Sequence, residues 1–67
     1  METVKVVAQK DGTFAVVTRR RGERSDVEFF ETEAEAQAYR EYLAETKGLT
    51  PLYWNERIAA YVTVPRD

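Results

Sequence analysis

Apolar and polar residues alternate over residues 3–9, Thr-Val-Lys-Val-Val-Ala-Gln, and the β-branched content of that run predicts a strand. Lys10-Asp11-Gly12-Thr13 predicts a tight turn, because Asp-Gly suits the positive-φ positions of a type I′ hairpin. Residues 13–19 then form the returning strand, Arg20 to Ser25 a polar loop, and residues 26–31 a third strand, completing an antiparallel meander. Thr32 and Glu35 have the Thr-x-x-Glu spacing of a capping box, and Lys47-Gly48 is a stop signal, so a helix is expected over 33–47. Leu49 to Arg57 is a connector with an extended piece at Leu52-Tyr53-Trp54. Residues 58–64 form a fourth strand, ended by Pro65. The expected fold is α+β, in the order β-β-β-α-β, with one helix packed on one sheet face. Whether the last strand pairs with the first or the third is left open by the pattern.

Period-two alternation also assigns faces. Val4, Val6 and Ala8, Phe14 and Val16, Val27 and Phe29, and Ile58, Ala60, Val62 and Val64 are expected under the helix. Ala36, Tyr39 and Leu43, with Tyr42 beside them, are expected to meet them. The opposite face is then left with Val7, Ala15, Val17, Phe30, Ala59 and Tyr61, with Lys5, Glu28 and Thr63 among them. One helix cannot cover both faces of a sheet, so Val7, Val17 and Phe30 are expected to form an apolar docking surface.

The chain has 67 residues, enough for a single small domain of limited core. It contains no cysteine and no histidine, which removes disulfides, thiolate zinc sites and the commonest acid/base and metal-ligating side chain. The only serine, Ser25, has no imidazole to activate it, and no glycine-rich phosphate loop is present. Glu33, Glu35, Glu41 and Glu45 read as a solvated helix face rather than as catalytic or metal-binding carboxylates. A noncatalytic protein without cofactor or metal is therefore expected. No run is long and apolar enough for a membrane span, and a soluble cytoplasmic protein is expected.

Charge is uneven beneath a net of −2. Residues 1–25 carry six basic and three acidic groups, while residues 26–45 carry seven acidic and one basic. Arg19, Arg20, Arg21 and Arg24 surround the loop after the second strand and are candidates for contact with phosphates or an acidic protein surface. Glu23, Asp26 and Glu28 stand near enough in sequence to neutralise them. Tyr53 and Trp54 are candidates for an interface anchor, with closure of the core as the structural alternative.

Gly12-Thr13-Phe14-Ala15-Val16-Val17 and Phe30-Glu31-Thr32-Glu33-Ala34-Glu35-Ala36-Gln37-Ala38-Tyr39 together resemble the arm-type DNA-binding domain of phage integrases, a three-stranded sheet followed by a helix. That resemblance covers residues 4–45 and implies DNA binding through the sheet and the arginine loop. Arm-type domains are typically basic, whereas residues 26–45 here are acidic, and this chain continues into a further strand. The size and β-β-β-α-β plan are also similar to the small RNA polymerase inhibitors of T7-like phages, which implies a protein partner. The expected function is a bacterial or phage binding module, regulatory or inhibitory. Its partner is another protein or a second copy of itself, a homodimer, and the alternative partner is DNA. No small-molecule substrate is expected.

Overall fold

The computed structural model describes residues 2–63. Five strands form one mixed sheet with a single helix, a small α+β domain: β1 (Thr3–Ala8), β2 (Phe14–Arg19), β3 (Asp26–Phe30), α1 (Glu33–Lys47), β4 (Thr50–Asn55) and β5 (Ala60–Val62). The strand order is β3-β2-β1-β4-β5. β1, β2 and β3 are the expected antiparallel meander, with Val6 opposite Val16 and Phe14 opposite Phe30. β4 pairs parallel to β1, with Val4 opposite Pro51, and the last strand, β5, pairs with β4 rather than with the first or the third strand.

The helix has the ends its sequence calls for. The Thr32 hydroxyl accepts from the Glu35 amide at 3.2 Å and donates to the Glu35 carboxylate at 3.0 Å. The return bond of the capping box thus goes to the hydroxyl rather than to the Thr32 amide. Glu33 and Glu35 face the positive end of the helix dipole and Lys47 the negative end. Gly48 ends the helix at φ 68°, a left-handed position that costs a side chain but not glycine. Leu49 then drops into the core beside Leu43, the hydrophobic contact that accompanies such a cap. The buried core consists of Val4, Val16, Ala36, Leu43 and Leu49, with Val6, Phe14, Phe30, Tyr39 and Ala44 packed around it. No helix of the described residues is long and apolar enough to cross a membrane.

Several sequence expectations need correction. The first hairpin does not turn through a type I′ pair: Gly12 has φ 91°, whereas Asp11 keeps a negative φ. Gln9 and Thr13 close a three-residue connection, and the Asp11 carboxylate accepts from both the amide and the hydroxyl of Thr13. The residues read as a connector contain a full strand, β4. The run read as the fourth strand shrinks to β5, because Glu56 to Ala59 are a turn. The Asn55 side chain accepts from the Arg57 amide and bends the chain there, and Ala59 takes a φ of 52°. Ile58 is consequently exposed at a hairpin tip rather than buried. Val64 and Pro65 lie outside the described residues.

The third strand is turned over. Phe30 pairs with Phe14 and packs on Tyr39, ring centroids 5.2 Å apart, so it lies under the helix. A period of two then sends Val27 and Phe29 to the opposite face, where both are exposed. Tyr42 is exposed as well and stacks on Tyr39 from outside.

Candidate functional site

The register defines the sheet face away from the helix. β1 places Thr3, Lys5 and Val7 there, and β2 places Arg19, Val17 and Ala15 opposite them. β3 adds Val27 and Phe29, β4 adds Thr50, Leu52 and Trp54, and β5 adds Tyr61. Val7 and Val17, two of the expected docking residues, are on this face and half-buried. Phe30, the third, is not; Phe29 replaces it, 63% exposed. Trp54 is 53% exposed and meets Tyr61 edge-on at 5.2 Å. Lys5 lies over the Tyr61 ring, 4.8 Å from its centroid. Among the described residues, the only charged side chains that the strands place on this face are therefore Lys5 and Arg19, both cationic.

Arg19, Arg20, Arg21 and Arg24 sit at the opposite end of the sheet from the first hairpin. Arg19, Arg21 and Arg24 are exposed and Arg20 is half-buried. The Arg20 backbone carbonyl accepts from the Glu23 amide, which folds the loop back on itself. Among the described residues none of the four makes an ion pair with Glu23, Asp26 or Glu28; the one salt bridge is Arg40–Glu41. The Arg20 Nε is buried without a hydrogen-bond partner.

Tyr53 and Trp54 are neighbours on β4 and so point to opposite faces. Tyr53 turns to the helix. Its hydroxyl donates to the Glu41 carboxylate at 3.2 Å, and Arg40 lies over its ring at 4.3 Å. The Arg40 Nε in turn donates to Glu41 at 2.7 Å. Desolvation, reinforced by the charge and hydrogen bond of Glu41, raises the Tyr53 phenol above its ordinary value, with Arg40 acting in the other direction. Burial raises the Tyr61 phenol too; its hydroxyl donates to the Val6 carbonyl at 2.8 Å.

A cleft of about 900 Å³ opens beside this network, between the first turns of α1 and the ends of β1 and β4. Sequence reasoning missed it, and missed Arg40, which is 9% exposed. The signal was present: Arg40 stands four residues after Ala36 and three before Leu43, a charge on the buried stripe of the helix. Among the described residues no group of three or more acidic side chains is placed to hold a metal ion. The chain matches no protein-family model, and neither its sequence nor its fold has a significant counterpart among the curated proteins and solved structures compared with it.

Proposed function

We propose that this chain is a noncatalytic binding module, a small regulatory or inhibitory protein that docks its uncovered sheet face on another protein. The observation that supports it is the apolar face with Phe29 and Trp54 more than half exposed, since contiguous apolar surface of this kind marks interaction sites. Charge selects the partner. A second copy docked face to face sets one cationic face against another, whereas an apolar surface with an acidic rim complements Lys5 and Arg19.

The test has three arms. A partner recovered from the native host is purified and titrated against wild type, Phe29→Asp and a Tyr42→Ser control on the helix side. Binding that Phe29→Asp weakens at least tenfold, and the control leaves unchanged, supports the reading. Sedimentation across a concentration series checks self-association; a dimer that Phe29→Asp dissociates would replace the heterologous partner by a second copy. Duplex DNA is the third arm, motivated by the arginines of the loop, none of which forms an ion pair among the described residues. Four phosphate contacts would give a slope near −3.6 in log K against log salt, flattened by replacing Arg19, Arg20, Arg21 and Arg24 with Gln. Submicromolar duplex binding at physiological salt would overturn the protein-docking reading in favour of DNA.

A further inference from the structure

β1 and β4 are paired only as far as Lys5 and Leu52, although both strands run on. Beyond that point they part, and the Tyr61 hydroxyl reaches across to the Val6 carbonyl. The parting leaves a notch through the sheet, lined by Val6 and Ala8 from the helix side and Val7 from the other. Glu33, Gln37 and Arg40, one stripe of α1, close it above. Its volume of about 900 Å³ is in the range of small-molecule sites, roughly 300–1,000 Å³.

The polar groups that remain free decide what such a site accepts. Both tyrosine rings already carry a cation, Arg40 on Tyr53 and Lys5 on Tyr61, and both hydroxyls are engaged. Those rings are therefore poor receptors for a cationic ligand. Arg40 is different. Its Nε is held by Glu41, and among the described residues its two Nη groups meet no acceptor. A largely buried guanidinium with one edge fixed and the other free is matched by a carboxylate, which accepts two parallel N–H bonds. Glu33 and Glu56 balance Arg40 and Arg57 in the lining, so the cleft has no excess of positive charge for a polyphosphate, and the free Arg40 edge is matched to a single carboxylate. Phe14, Val6, Ala8 and Trp54 supply apolar wall.

The geometry points to a binding site for a small organic acid, a single carboxylate on an apolar stem, with Arg40 as its anchor. The cleft shares Val7, Trp54 and Tyr61 with the docking face, but its assignment rests on Arg40 and not on that reading.

Phenylacetate is the probe, with 2-phenylacetamide as its neutral counterpart and inorganic phosphate as an anion without a stem. Amide shifts of the full chain are followed by NMR. Phenylacetate should move the amides of Ala8, Gln37 and Asn55 saturably, with a Kd on the order of millimolar for so small a ligand. The amide should bind at least about tenfold more weakly, and phosphate should not compete. Arg40→Gln should weaken phenylacetate at least about tenfold. Because that variant also cuts the contacts to Glu41 and Tyr53, Ala8→Trp is the second test: it fills the notch, leaves Arg40 in place, and should abolish binding. Equal binding of acid and amide, effective competition by phosphate, or full affinity in a folded Ala8→Trp protein would each overturn the assignment, as would the lack of any saturable shift.

Discussion

Thr32 holds the start of the helix through a bond to the Glu35 amide, and its loss leaves that amide without its intramolecular partner. Thr32→Ala should lower stability by about 1 kcal/mol in urea unfolding, with an unchanged denaturant slope. A change below a few tenths would mean that water replaces the hydroxyl at no cost. Tyr53 and Tyr61 give a second residue-level expectation. Both phenols are raised in the folded protein, so the fold favours their neutral forms. That contribution is fully present below the ordinary phenol value, near 10, and is lost as pH rises through the higher folded values. Phenolate absorbance, compared with Tyr53→Phe and Tyr61→Phe, should therefore show these two tyrosines ionising late, and stability should decline over the same alkaline window. Ordinary ionisation of Tyr53 and Tyr61 would contradict the contacts at Glu41 and Val6. Asp11 is displaced the other way, held low chiefly by the Thr13 hydroxyl and then by the Thr13 amide. The turn it closes should loosen only as pH falls below the ordinary carboxylate range.

Among the elements, β3 is an unpaired sheet edge without proline or lysine, and Asp26 and Glu28 are its only charges. A twofold strand pairing centred on Glu28 sets that carboxylate against its own copy, which opposes edge-to-edge association. Glu28→Val should therefore produce concentration-dependent association in sedimentation, at little cost to the monomer because the residue is exposed. If the variant stays monomeric, the edge is protected by its twist or its neighbours instead. The helix was legible because Thr32, Glu35 and Gly48 act within a turn of the ends they define. β4 was not, because Pro51 reads as a breaker. Thr50 donates to the Glu2 carbonyl, so Thr50 and Leu52 bond toward β1, and the ring nitrogen of Pro51 points to the other side. No bond of the described ladder is lost there. The face of β3 was misread for a different reason. Phe29-Phe30 fits either way up, and only the distant Tyr39 ring selects Phe30 for the core. Of the apolar face, Val7, Ala15, Val17 and Tyr61 fall where the pattern put them, whereas β3 contributes Val27 and Phe29 in place of Phe30 and Glu28, and Ala59 lies in the turn before β5. The cleft was invisible because it depends on where two strands separate, which no periodicity records.

At the scale of the molecule, the acidic helix and the cationic, apolar sheet face stand on opposite sides of one thin layer. The field of such a body turns its sheet toward a negative surface before contact, so rim charges should govern the association rate more than the lifetime of the complex. The topology carries a consequence in time as well as in space. β1 lies at the centre of the sheet, with one edge against its immediate successor and the other against a strand that follows the helix, Thr3 beside Thr50. The β1–β2 hairpin closes a short loop, whereas β4 can find its place only by closing the long loop from Thr3 to Thr50, which costs more entropy. A nucleus built from the hairpin, β3 and the helix would therefore precede the docking of β4. Val16→Ala should slow refolding in stopped-flow kinetics, while Leu52→Ala should leave that rate nearly intact and speed unfolding. Equal slowing by both would place the closure of the long loop at the barrier, making the strand that arrives from farthest away the one that sets the folding rate.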